Sequence, residues 1–382
     1  MKNLALARNR ATAALKMLYV ADSLAMPVHW YYNPMDIYRQ FRGGIAHFED
    51  APDFHPSSIM SLHSTSKGGR GARGSRGSNG SKGWAGAAVS NKQIVGDVIL
   101  IGKRKFWNQP NQHYHHGMRA GENTLNAHCA RAVTRMLVDS GGKYDEAAFL
   151  DAYIELLTAD PPMHPDTYAE SYHRGFFANL EAGKQRHKCG AVTHDTPSIG
   201  GLVCIAPIVF SERLRGTSLD VVQEICQGHL KLTHPDQYLA KVCRDYVGLL
   251  DDLLFLDESE SAQQLISAWS KRSISLQLSE LMGKIYSDND VVGKLFSSAC
   301  YITDSWPSVL YLAYKYCDSP EAGLISNTNL GGDNVHRGAV LATLLGLASG
   351  ETLADHFSQL VDHVAIELEI TQLVEAVSSN AQ

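Results

Sequence analysis

The stretch that most restricts how this chain can fold is residues 331–350, Gly-Gly-Asp-Asn-Val-His-Arg-Gly-Ala-Val-Leu-Ala-Thr-Leu-Leu-Gly-Leu-Ala-Ser-Gly. Paired glycines lack Cβ and reach positive φ without strain, so the backbone can turn tightly or press against a neighbour. Four polar side chains within five residues (Asp333, Asn334, His336 and Arg337) then fall where a helix begins, and that helix is apolar and rich in small residues. A helix N-terminus favours carboxylates and binds anions through its free N–H groups. Either Asp333 or Asn334 caps a core helix, or the turn is the corner of an active site.

The 382 residues are 44% apolar, enough to bury a large core. The net charge of −6 argues against a general nucleic-acid binder. No apolar run reaches the roughly 18–20 residues that span a bilayer, so a membrane location is not expected. The start of the chain, Met-Lys-Asn-Leu-Ala-Leu-Ala-Arg-Asn-Arg, carries charge where a signal peptide would be apolar. The seven cysteines are scattered and form no Cys-x-x-Cys pair, which suits reduced, buried thiols and a cytoplasmic location.

Apolar residues recur at helical spacing through most of the chain: Leu125, Cys129, Val133, Met136 and Leu137 form one such face, and Leu219, Val222, Ile225 and Cys226 another. The same reading gives helices at 5–25, 145–158, 168–183, 218–231, 236–256, 260–270, 290–300, 306–317 and 336–349. No alternating strand pattern recurs, so the expected fold class is all-α. One segment departs from this pattern. Residues 64–83 are a low-complexity run of Gly, Ser, Arg and Lys without a single acid. Such a run cannot bury enough apolar surface to offset chain entropy, and it reads as a disordered loop spanning about 64–92. An RNA- or phosphate-touching element, or a lid whose Arg70, Arg73 and Arg76 meet an anionic substrate, are the alternatives.

Other places carry chemically able groups. In Ala21–Trp30 a small-residue helix ends at Pro27, with Asp22 inside it and His29 and Trp30 just after it; a carboxylate in an apolar helix is costly unless paired or functional. Gly121-Glu122-Asn123-Thr124 opens the helix that runs to about Leu137, offering oxygens for capping or for a hard cation. Asn126 and His128 extend that polar face. The run His113-Tyr114-His115-His116 could ligate a metal, although without carboxylate partners it reads more simply as an exposed loop. Ser198-Ile199-Gly200-Gly201 precedes an apolar run ending in Ala206-Pro207, and Thr233-His234-Pro235-Asp236 opens a helix, with Thr233 or Asp236 as its cap and Pro235 at an early helical position. There is no G-x-S-x-G, Walker-A, H-E-x-x-H or dinucleotide motif, which leaves hydrolytic or acid–base chemistry built from carboxylates, amides and histidines.

Taken in order, these motifs resemble those of the ADP-ribosylglycohydrolase family. Ala21–His29 is similar to the family's Gly-Asp-Ala-Leu-Gly-x-Pro-x-Glu, Gly121–Thr124 to its Thr-Asp-Asp-Thr, Thr233–Pro235 to its Thr/Ser-His-Pro, and Gly331–His336 to its Gly-Gly-Asp-Thr-Asp-Thr. The resemblance covers roughly residues 10–350. It implies one compact multi-helix orthogonal bundle over 1–382, with the basic tract as an insertion. It also implies a central cleft where two Mg²⁺ ions position an ADP-ribosyl group whose glycosidic bond is hydrolysed.

The letters depart from the family at the ligand positions. Gly121, Glu122 and Asn123, then Asp333, Val335 and His336, stand where the family's ligands stand, and His29 replaces the early glutamate. Magnesium favours six hard oxygens in octahedral array, so one ion or none is expected. In one scheme His29, Glu122, Asp333 and His336, with Asn123 beside them, hold a single borderline cation such as Zn²⁺ or Mn²⁺. In the other no metal takes part: a histidine or Glu122 is the general base, and Arg337 or Asn123 steadies an anionic group. Glu122, His29, Asp333 and His336 are thus the expected catalytic centre. Asp22, Trp30, Asn123, Asn334 and Arg337 are expected to contact a small-molecule or ADP-ribosylated substrate. A non-catalytic, crystallin-like binding or structural protein, or a same-fold enzyme with another reaction, are the competing classes.

Overall fold

The structure, a computed structural model, describes residues 3–62, 92–284 and 287–376. The basic tract at 64–83 lies outside the described residues. In chain order the helices are α1 (Leu4–Ala25), α2 (Pro34–Gln40), α3 (Leu125–Asp139), α4 (Glu146–Thr158), α5 (Ser171–Glu181), α6 (Ile205–Leu214), α7 (Leu219–Thr233) and α8 (Gln237–Leu254). Then follow α9 (Ala262–Ile274), α10 (Leu278–Lys284), α11 (Asp288–Val291), α12 (Ile302–Tyr316), α13 (Pro320–Asn329), α14 (Asn334–Ser349), α15 (Ala354–Phe357) and α16 (His363–Ala376). Among the described residues there is no sheet, only isolated bridges such as Ser198 with Tyr301. No described helix is long and apolar enough to cross a membrane.

The centre of the fold is the pair α1 and α14, wrapped by α8, α12, α13 and α16. Every residue of α14 from Asn334 to Leu347 is buried, as are most of those of α1 from Arg10 to Ala25. A helix buried on all sides must be apolar around its whole circumference. It also needs small residues where backbones meet. At Gly346 a Cβ would lie 2.5 Å from the Ala14 Cα and 2.7 Å from the Ala14 nitrogen. The Ala/Gly-rich sequence of both helices is therefore a packing requirement. Asn3 opens α1 by accepting from Leu6 N at 3.2 Å, and Gly350 closes α14 at φ +72°.

The helical expectations hold for α1, α3, α4, α5, α7, α8, α9, α12 and α14, with ends shifted by a few residues. They fail at 290–300. There the helix is the single turn of α11, because Gly293 sits at φ +114° and the chain then folds back, Gly293 N donating to Phe296 O. Helices α2, α6, α10, α13, α15 and α16 were not expected. Asp236 caps α8 through Leu239 N at 2.7 Å, one of the caps the sequence offered.

Because the Gly346 contact is backbone against backbone, a side chain there cannot be accommodated by rotamer change. Gly346→Ala is expected to destabilise the protein by about 1–3 kcal/mol, read as a lower midpoint in urea unfolding. An unchanged midpoint would show that α1 and α14 can separate at little cost.

Candidate functional site

Two remote segments meet where α1 ends and α14 begins. Trp30 N donates to Gly332 O at 2.7 Å, and Gly332 N donates to Tyr31 O at 2.8 Å. Gly331 and Gly332 adopt φ of +64° and +65°; a Cβ on them would lie 2.1 Å from Tyr31 O and 2.0 Å from Ser298 O. Only glycine permits this approach. Asp333 N donates to Ser298 O at 2.8 Å, which fixes the residue that follows.

Asp333 occupies the N-cap position of α14, yet its carboxylate makes no capping bond. Its Oδ1 lies 3.0 Å from His29 Nε2 and 2.9 Å from His336 Nδ1. All three side chains are buried, with exposures of 0%, 0% and 2% for His29, Asp333 and His336. The ligand atoms of these three residues lie within 4.8 Å of one another. Val335, at a position where the family carries a ligand, points an apolar side chain into the core. The turn thus places a buried carboxylate between two imidazoles.

The network continues outward on both sides. His29 Nδ1 lies 2.7 Å from His115 Nε2, and His115 Nδ1 lies 2.8 Å from Asp166 Oδ1. On the other side His336 Nε2 lies 3.2 Å from Glu170 Oε1 and 2.7 Å from Asn126 Nδ2. A protonated Nε2 thus has a carboxylate to donate to, and a bare one has an amide to accept from. The ring of His29 stacks on Trp30, with centroids 3.6 Å apart.

The electrostatics separate the two imidazoles. Burial lowers His29 to about 3, outweighing Asp333, so it carries no charge at neutral pH. Burial would also lower His336, but Asp333 and Glu170 against its two nitrogens raise it well above the ordinary histidine value. Burial pushes the Asp333 carboxyl up, and the His336 and His29 rings more than reverse this, holding it well below the usual carboxylate range.

The other expected residues have clear places. Asp22 accepts from Thr124 N at 2.8 Å, Asn123 Nδ2 at 2.9 Å and Thr124 Oγ1 at 2.6 Å, so it holds the start of α3 to α1. Burial raises its carboxyl despite these bonds. Asn123 also donates to Tyr19 O, and Asn334 donates to Thr328 O at 2.8 Å; both amides tie elements together. Arg337 is fully buried. Its guanidinium donates to Asn327 Oδ1 and to the carbonyls of Asn327, Gly331 and Ser298, clamping the Gly-Gly turn from behind. Those contacts occupy the Arg337 guanidinium with groups of the chain itself.

Glu122 is not brought to Asp333 among the described contacts. Its Oε2 accepts from Arg119 N at 2.8 Å, and the residue lines an open cleft of about 300 Å³ with Asn123, His128, His164 and Asp362. The donor set of His29, Asp333 and His336 therefore lacks Glu122 and Asn123. Gly121 contributes its carbonyl to Val361 N at 3.0 Å. The exposed-loop reading of His113–His116 is overturned for most of its length: His113, Tyr114 and His115 are buried, and His113 Nε2 meets Pro27 O at 3.0 Å. The residues missed by sequence were Asp166 and Glu170. Both lie in a short loop ahead of α5, where acids ordinarily signal a helix start and nothing more.

A charge state follows that can be measured. In the metal-free protein His336 is expected to be doubly protonated at neutral pH and His29 neutral, read from imidazole ¹⁵N shifts. Since the folded value of His336 is raised, its stabilisation is complete below about pH 6.5 and is lost as pH rises through that higher value. Unfolding in urea should show this alkaline decline, and Asp333→Asn should flatten it.

With this geometry in place, the comparisons with known proteins agree among themselves. The family model described as ADP-ribosylglycohydrolase matches residues 3–381. Among curated proteins, none matches the sequence. A solved structure titled "ADP-ribosylglycohydrolase-related protein complex" is similar in fold, with a TM-score of 0.57 at 14% identity, covering 99% of this chain and 100% of that one. The helical architecture and the family match over nearly the whole length lead to one conclusion: the chain belongs to the ADP-ribosylglycohydrolase family.

Proposed function

We propose that this protein is a hydrolase that cleaves a glycosidic bond in an ADP-ribosyl-type substrate, using a centre rebuilt around His29, Asp333 and His336. The observation that supports the reading is the convergence of two imidazole nitrogens and one carboxylate within 4.8 Å, at the helix start where the family carries its ligands. The donor set tests which ion could sit there. Two nitrogens and one carboxylate, beside a buried valine, do not fit a pair of magnesium ions that need many hard oxygens. They do fit a single borderline cation such as Zn²⁺ or Mn²⁺ held by His29 Nε2, Asp333 and His336 Nδ1. Such an ion, when bound, polarises an oxygen and lowers the pKa of a bound water.

The chain's own groups supply the rest. Asp333 contributes the negative charge at the centre, and His29, uncharged at neutral pH, is able to accept a proton or coordinate. Glu122 and Asn123 line the open cleft, and this reading gives Glu122 the substrate side of the site. Arg337 and Asp22 keep the two helix starts in place.

A second reading rests on one specific observation, the burial of the whole centre. Its charges are paired within the protein, which equally suits a non-catalytic binding or structural role, or the same fold turned to another reaction.

Metal analysis and hydrolysis assays of the full-length protein separate these readings. The wild type is expected to carry close to one transition-metal ion per chain. Asp333→Asn and His29→Gln should lose the ion and the release of ADP-ribose from ADP-ribosylated protein. Glu122→Gln should keep the ion and lose turnover by about 10²-fold or more, the scale of a lost acid–base group. Turnover without any metal would leave acid–base chemistry alone, and neither metal nor turnover would support the structural reading.

A further inference from the structure

Asp166 and His115 lie outside every motif that carries the family resemblance, and both are buried, at 2% and 1% exposure. Asp166 is held as an acceptor on all sides. Its Oδ1 receives Thr167 N at 2.7 Å and Tyr168 N at 3.1 Å besides His115, and its Oδ2 receives Leu125 N at 2.8 Å. A carboxylate so placed only accepts, so His115 Nδ1 must carry the hydrogen that spans the 2.8 Å between them. His115 Nε2 then faces His29 Nδ1 at 2.7 Å, and the two rings are nearly parallel, 4° apart in tilt. When a cation lies at the centre, His29 Nε2 must offer its lone pair. Its remaining hydrogen is then on Nδ1, where His115 Nε2 is the acceptor.

We propose that Asp166 and His115 are positioning residues, acting as an outer relay that orients the His29 ring and keeps Nε2 directed at Asp333. The inference rests on the centre assigned above, and it deepens that reading by naming what makes His29 an effective ligand or base. His336 has a shorter counterpart, with Nδ1 toward Asp333 and Nε2 toward Glu170. Each imidazole at the centre therefore has a carboxylate behind it, directly for His336 and through a second imidazole for His29. Outer carboxylates of this kind fix ring orientation and raise ligand basicity, and their loss typically weakens metal binding 10–100-fold. Asp166 does this from the loop that also holds the first N–H of α3, so the relay and the helix start share one anchor.

Two measurements on the full-length protein test this. The first is the ¹⁵N–¹⁵N coupling across the hydrogen bond between His29 Nδ1 and His115 Nε2 in the Zn²⁺-loaded protein, together with the His29 ring shifts with and without the ion. The second is Zn²⁺ affinity by calorimetry. Asp166→Asn is a poor probe, because it also disturbs the start of α3. His115→Phe removes the acceptor and keeps a ring, and His115→Gln restores an acceptor. The coupling is expected in the wild type, and the His29 shifts should move in His115→Phe. Zn²⁺ binding should weaken by about 10–100-fold in His115→Phe and recover to within a few-fold in His115→Gln, and the thermal midpoint should fall in His115→Phe, which takes the imidazole from the buried Asp166 carboxylate. Absence of the coupling, or Zn²⁺ binding by His115→Phe equal to the wild type, overturns the relay. If the wild type takes up no Zn²⁺, the cation reading fails, and the relay is decided by NMR: unmoved His29 signals in His115→Phe overturn it.

Discussion

A carboxylate sealed from water stays charged only if the protein supplies what water no longer does. Asp333 is the case on which this structure turns. Desolvation alone would neutralise it, and the two imidazoles within 3.0 Å reverse that outcome. Removing the His336 ring would leave a buried charge uncompensated, which costs more than the pair contributes when intact, and removing His29 would take away a partner of the same carboxylate. The three residues therefore behave as one unit, and their mutual geometry has to be set by the fold around them.

That setting comes from backbone more than from side chains. Residues 30–31 and 331–332 are bonded to each other in both directions, and the glycines allow this at distances no Cβ would tolerate. The clamp of Arg337 on Gly331, Asn327 and Ser298 carbonyls holds the turn from the core side. Burial lowers the Arg337 guanidinium to about 10, but it remains charged at neutral pH and adds to the field that keeps Asp333 ionised. Central packing and central electrostatics thus meet in α14: one end is fitted to α1 by Gly346, and the other delivers Asp333 and His336.

The all-α class and the main helices were legible because periodicity and small-residue content follow directly from helix geometry and close packing. Gly331–Asp333 and His29 were legible as candidate site residues because glycine pairs and buried-looking polar letters are uncommon in apolar surroundings. What could not be read was direction. Glu122 and Asn123 sit side by side, yet one lines the open cleft while the other also bonds back to α1. Sequence spacing does not say which way a residue ahead of a helix points. His115 was hidden for a related reason. A His-Tyr-His-His run is polar enough to be a surface loop, and only the long-range contact with His29, 86 residues away, turns it inward. Asp166 and Glu170 sit in a loop whose partners are 51 and 166 residues distant for His115 and His336, and no local pattern encodes such a distance.

The family frame and the chemistry it carries are therefore separable here. The family resemblance implies hard oxygen ligands at the starts of α3 and α14, where this chain carries different letters. At α3 the N–H groups are satisfied by carboxylates from elsewhere, Asp22 on Thr124 and Asp166 on Leu125. At α14 the carboxylate faces imidazoles. Replacing oxygen donors by nitrogen donors changes the ion preferred, because imidazole suits zinc and its neighbours while magnesium rarely gives up its oxygen shell. It also changes what the protein must supply around the centre. An oxygen ligand accepts from almost any donor, whereas an imidazole has one correct nitrogen and needs a partner to hold the other. A centre built on histidines would need an outer layer of acceptors, and Asp166, His115 and Glu170 lie against the outer nitrogens of these imidazoles.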